Sequence, residues 1–143
     1  MIIIPKSVYN QMIAHAKSGY PNEACGILAG PAADADCVAA SEFIPMRNLD
    51  ASSVSYFMDP KEQLQAFKAM RQRRVQMLGI FHSHVASAAS PSQKDVRLAF
   101  YPELSYLIVS LSDSQKPVLR SFKINQETVT EEEIKIVQPT AQN

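Results

Sequence analysis

Apolar residues recur along this chain with two different periods, and the switches between them mark the elements. Val8, Met12 and Ala16 fall four apart behind Pro5, so a helix is predicted from Pro5 to about Lys17 with one buried stripe. The run Met1-Ile2-Ile3-Ile4 before it reads as a first strand. Further strands are predicted near 24–29, 37–45 and 54–58. Asp59-Pro60 then starts a second helix with Leu64, Phe67 and Met70 as its buried stripe. It ends at Arg71-Gln72-Arg73-Arg74, where cations suit the helix dipole. Residues 75–84 are rich in apolar types, as expected of a strand covered on both faces. A short helix over 92–99 follows a small-residue loop, with Ser90-Pro91 as its N-cap and first helical position. The strongly apolar strand 104–111 comes next, then strands around 117–124 and 128–137, and a frayed tail from Gln138 to Asn143.

This pattern is that of an α/β protein, with residues 1–137 as a single domain and no internal repeat. At 143 residues the chain has room for one core, and 46% hydrophobic with 20% charged residues is ordinary for a globular protein. Fourteen basic and fourteen acidic residues cancel, so no global field favours nucleic acid or an anionic membrane. Glu131-Glu132-Glu133 reads as a solvated face. The opening apolar run is short and lacks a basic region before it, so it does not read as a signal peptide. Cys25 and Cys37 are too few for a disulfide framework and belong to no Cys-x-x-Cys pair. They read as thiols in a reducing compartment, and a cytoplasmic location is expected. No neighbouring base supports Cys25 as a nucleophile.

The candidate chemistry is carried by His82-Ser83-His84 and, beyond a loop, Asp95. Strand alternation places His82 and His84 on the face of Leu78 and Ile80, with Ser83 turned away. Ser92 and Asp95, three apart on a helix, share a face and can be aimed back at the histidines. Two histidines and a carboxylate, with a fourth position left to water, have the composition of a catalytic zinc site. Ser92-x-x-Asp95 also satisfies a loosened capping box, and His-x-His alone is common by chance. A fourth element is therefore needed. Glu23 heads a short apolar strand, an expensive place for a carboxylate without a partner. Residue types and spacing leave open which carboxylate binds metal and which moves protons.

Taken in order, Glu23, His82-Ser83-His84 and Ser92-x-x-Asp95 resemble the signature of the JAMM, or MPN-plus, zinc metalloprotease family. Glu-Ala-Cys-Gly-Ile-Leu-Ala-Gly (23–30), Pro45-Met46-Arg47-Asn48 and Met58-Asp59-Pro60 extend the resemblance from about residue 5 to about 125. One departure is Val85, where the family usually carries a proline that stiffens the loop. The resemblance implies a mixed twisted sheet flanked by helices, similar to that of cytidine deaminases. It implies that His82, His84 and Asp95 hold Zn2+, that Glu23 transfers protons, and that Ser92 donates to the oxyanion. Iron or cobalt also suits such a ligand set.

The short span between His84 and Leu104 leaves no room for a large insertion, as in small stand-alone prokaryotic members of that family. The implied substrate and partner is a ubiquitin-like or sulfur-carrier (ThiS- or MoaD-like) protein, cut after its terminal Gly-Gly. Glycine lets the backbone pass close to a metal. A non-catalytic MPN scaffold is the alternative, and retention of all five site residues argues against it. A zinc nucleoside deaminase would need His-x-Glu and Pro-Cys-x-x-Cys, and neither occurs.

Overall fold

The computed structural model describes residues 1–31 and 36–138. Strand β1 (Ile2–Pro5) leads into helix α1 (Lys6–Gly19), which buries Val8, Met12 and Ala16 as the spacing predicts. The chain continues as β2 (Cys25–Gly30), β3 (Val38–Ala39), β4 (Glu42–Met46), α2 (Pro60–Gln72) and β5 (Gln76–His84). It ends with α3 (Gln93–Arg97), β6 (Ser105–Ser110), β7 (Val118–Asn125), β8 (Thr128–Glu132) and β9 (Ile134–Val137). The expected tail from Gln138 lies, from residue 139 onward, outside the described residues. Among the described residues no helix is long and apolar enough to cross a membrane.

The main sheet has six strands in the order β4-β2-β5-β6-β7-β8, with β5 and β6 parallel and every other pair antiparallel. A second, three-stranded sheet has the order β3-β1-β9. One core layer joins β1 and α1 to Leu28, Phe43, Phe81, Leu107 and Val109. On the opposite face, α2 covers Cys25, Ile27 and Ala29 through Ala66 and Met70. Beside it, Val96 of α3 packs on the Tyr106, Ile108 and Phe122 cluster. The result is the α/β domain that the pattern predicts, with the mixed sheet flanked by helices that the resemblance implies, and it explains why β2 and β6 are buried at every position. Gly26 is required by a close approach: a Cβ there would stand 2.4 Å from Cε1 of Phe43.

Five local expectations need correction. Of the predicted α2 stripe Met70 is buried, but Leu64 and Phe67 are 55% and 41% exposed, and Ala66 turns inward in their place. Residues 54–58 form no strand; a single bridge joins Met58 to Asn48. The long strands expected at 37–45 and 128–137 are each split, and β9 leaves the main sheet to pair in parallel with β1. Ser90-Pro91 does not cap the short helix, because Ser92 is its N-cap and α3 stops at Arg97. The acidic run is a solvated face at Glu131 and Glu133, as expected, with Glu131 in a surface pair with Arg120; Glu132 is half-buried and accepts from Ser121 Oγ at 2.7 Å. By contrast, Asp59 caps α2 as expected, accepting from Lys61 N with Pro60 in the first turn.

Candidate active site

The parallel pair β5–β6 ends at the rim of the sheet, and the last three residues of β5 are His82, Ser83 and His84. His82 lies in register with Cys25 on one side and Ile108 on the other, so its ring faces the α2–α3 side. Ile80 shares that side, but the register slips where β2 passes from Leu28 to Ala29, whose partners are Gly79 and Met77. Met77, rather than Leu78, therefore joins Ile80 in the clusters beneath the histidines. Both imidazoles are buried, His82 at 2% and His84 at 5% exposure.

Helix α3 brings Asp95 to them. Ser92 and Asp95 form a reciprocal capping box: Ser92 Oγ accepts from Asp95 N at 3.0 Å, and Asp95 Oδ2 accepts from Ser92 N at 2.9 Å. The cap is not an alternative to the site; it aims the carboxylate. Asp95 Oδ2 lies 3.2 Å from His82 Nε2 and 3.1 Å from His84 Nε2, and the two Nε2 atoms are 3.1 Å apart. Two imidazole nitrogens and one carboxylate oxygen thus converge on a single point. His84 Nδ1 is 2.8 Å from Ala88 O, which makes Nδ1 the protonated nitrogen and leaves Nε2 with its lone pair free. The two imidazole nitrogens and the carboxylate oxygen, with His84 oriented by Ala88 O, fit a zinc ion.

The loop after His84 is pinned without the proline that Val85 replaces. His84 Nδ1 and Ser90 N both reach Ala88 O, and Ser110 Oγ donates to Ser87 O at 2.7 Å. Electrostatics agree with the ligand geometry. Burial pulls the His82 pKa down, against the Asp95 hydrogen bond. Burial acts the same way on His84, but hydrogen bonds to Asp95 and Ala88 outweigh it and raise its value. Burial likewise opposes ionisation of Asp95, yet the hydrogen bonds from His82 and His84 hold its carboxyl well below the usual range.

Glu23 is held at the same rim by its backbone. Ser83, turned away from His82 and His84, accepts from Ala24 N at 2.8 Å through Oγ and donates its own N–H to Ala24 O at 2.9 Å. Glu23 N donates to Ser52 O, and Glu23 O accepts from Asn48 Nδ2 at 2.9 Å. The side chain is 6% exposed, and its carboxylate has no hydrogen-bond donor among the described residues. Burial, reinforced by the charge on Asp95 and opposed by His84 and Lys94, pushes its pKa from an ordinary 4.5 up to about 7. Ser83→Ala is expected to destabilise the protein by about 1–3 kcal/mol, because it orphans a buried amide; chemical denaturation measures it.

Two further residues belong to the site, and sequence reasoning did not assign them. Tyr56 stacks on His82 with ring centroids 4.6 Å apart and an interplanar angle of 24°. Asn48 holds the segment that carries Tyr56: its Nδ2 donates to Ser55 O, and its Oδ1 accepts from Asp50 N and Phe57 N. The signal for Asn48 was its place in the 45–48 motif. Tyr56 was hidden in a segment whose alternation reads as a strand. Cys25, by contrast, is an inert thiol, buried and pushed up to about 12 chiefly by burial.

Residues 5–125 match the family profile described as prokaryotic homologs of the JAB domain. The CysO-cysteine peptidase of Mycobacterium tuberculosis is 38% identical over 138 residues, which is 96% of this chain and 92% of that protein. The desampylase of Pyrococcus furiosus is 34% identical over 122 residues, or 85% and 83% of the two chains. The solution structure of a Desulfitobacterium hafniense protein superimposes with a TM-score of 0.89 at 49% identity, covering 97% and 94% of the two chains. By that match over most of its length and by these identities, this chain belongs to the prokaryotic homologs of the JAB domain.

Proposed function

We propose that this protein is a zinc-dependent peptidase or isopeptidase that hydrolyses the amide bond after the C-terminal Gly-Gly of a ubiquitin-like or sulfur-carrier protein. The observation that carries this reading is the convergence of His82 Nε2, His84 Nε2 and Asp95 Oδ2 at one rim, beside a buried carboxylate without a donor. Peptidase relatives named for CysO-cysteine and for desampylation support the substrate class.

His82, His84 and Asp95 would hold the ion. Zinc, when bound, supplies a Lewis acid for the scissile carbonyl and lowers the pKa of an attacking water. Glu23 accepts the proton of that water and returns it to the departing amine nitrogen, a role suited to a carboxylate poised near neutrality. Asp95 serves instead as ligand, because its carboxylate is already committed to both histidines. Ser92 Oγ spends a lone pair on Asp95 N, so its O–H remains free to donate to the oxygen that gains charge. A surface groove lined by Pro91, Gln93, Val96, Arg97 and Glu127 also includes Ser92 in its wall.

The test uses a ThiS-like carrier extended by a short peptide beyond its Gly-Gly, incubated with zinc-loaded protein and read by intact mass spectrometry. The expected product is the carrier ending in Gly-Gly. A carrier that stays intact, or one cut elsewhere, sinks this substrate assignment.

A further inference from the structure

A buried or half-buried tyrosine normally finds a hydrogen-bond partner for its hydroxyl. Tyr56 is half-buried, and among the described residues its phenolic oxygen has no protein partner and is left open, although its ring is packed on two sides. One face stacks on His82, and the side chain packs against the cluster built on Cys25, Ile27 and Met58. Its backbone is bracketed as well. Asn48 Nδ2 donates to the carbonyl before it, Ser55 O, at 3.0 Å, and Asn48 Oδ1 accepts from the amide after it, Phe57 N, at 2.9 Å. The same Asn48 amide holds Glu23 O at 2.9 Å, so base and tyrosine share one brace. The stacking on His82 places this ring beside the convergence of His82, His84 and Asp95.

A rigid ring with an unspent donor beside the ligand set calls for a partner that arrives with the substrate. A Gly-Gly tail has no side chains to recognise, so only its backbone N–H and C=O groups can be read. From this juxtaposition we infer that Tyr56 is a substrate-positioning residue, its hydroxyl donating to a backbone carbonyl of the glycine tail. The inference rests on the peptidase reading for the identity of the tail. The bond exists in the bound ground state, so its loss raises KM and leaves kcat nearly unchanged.

Tyr56→Phe keeps the stacked ring and removes only the donor. Calorimetric titration of zinc-loaded wild type and variant with a ThiS-like carrier ending in Gly-Gly reads the effect, with cleavage of the extended carrier followed in parallel. The expected result is roughly 3- to 10-fold weaker binding by Tyr56→Phe, the yield of one neutral hydrogen bond, with a matching rise in KM. Zinc content and melting temperature should not change. Tyr56→Ala, which also strips the ring from His82, is expected to bind the carrier more weakly still. Equal carrier affinity for wild type and Tyr56→Phe would overturn the assignment whatever the cleavage rate, as would a wild type that fails to bind the carrier. A wild type that binds the tail, loses affinity in Tyr56→Phe, and never cleaves would instead overturn the peptidase reading and leave Tyr56 in its role.

Discussion

Glu23→Gln is expected to lower kcat by about 10²–10⁴-fold, the usual yield of a positioned general base, while the protein still binds zinc. The amide is isosteric with the carboxyl and cannot take a proton. Because Glu23 acts ionised, activity is lost as the pH falls through its pKa, which burial places at about 7 in the metal-free protein. A divalent cation beside it favours the charged form, so the acidic limb of kcat/KM in the zinc form should lie at or below pH 7. The same residue should weigh on stability in the opposite sense. Its folded pKa is raised above the ordinary 4.5, so the folded state binds the proton more tightly than the unfolded one. Ionised Glu23 therefore destabilises the metal-free fold progressively between pH 4.5 and about 7, and fully above that. Glu23→Gln should remove this penalty, a gain of up to about 3 kcal/mol at pH 8 that vanishes below about pH 4.5. Denaturation of metal-free wild type and variant at pH 8 and pH 4.5 reads the gain directly. A variant less stable than wild type at pH 8 would mean that Glu23 has a partner that offsets its burial.

Ser92→Ala is expected to reduce kcat by about 10²–10³-fold, the loss of one oxyanion donor. It also removes the N-cap of α3, so stability should fall by about 1 kcal/mol. The two effects separate cleanly. Asp95 keeps its hydrogen bond from Ser92 N in the variant, so zinc should be retained while turnover falls. Steady-state kinetics with zinc-loaded protein decides it. A variant with near wild-type kcat would reduce Ser92 to a helix cap.

The ligand set was legible because it needs only local rules. Alternation puts His82 and His84 on one face, and a cap three residues before Asp95 aims the carboxylate back at them. What alternation does not report is a bulge. The slip opposite Leu28 and Ala29 exchanges Leu78 for Met77 beneath the histidines and leaves His82 on the side of Ile80. Helical periodicity gives a stripe but not its phase. Leu64 and Phe67 look like the natural inner face of α2 beside Met70, yet packing against β4 and β5 selects the small Ala66 instead of them.

The 54–58 segment is the most instructive difference. Val54, Tyr56 and Met58 alternate as in a strand, but the side chain of Asn48 takes Ser55 O and Phe57 N, the groups that a ladder would use. Side-chain competition for backbone groups depends on a residue seven to nine positions away, and no local period encodes it. The same competition sets Tyr56 on His82. The role of Glu23 was likewise beyond spacing alone, because its burial and its place at the rim depend on Ser83 and Asn48 holding the backbone around it.

The central claim is that His82, His84 and Asp95 bind the metal and that Glu23 does not. Metal content of purified, tag-free protein by plasma mass spectrometry, for wild type, His82→Ala and Glu23→Gln together, tests it most directly. The account predicts about one zinc per chain in wild type and in Glu23→Gln, and none in His82→Ala. Zinc missing from Glu23→Gln, or retained in full by His82→Ala, would contradict it.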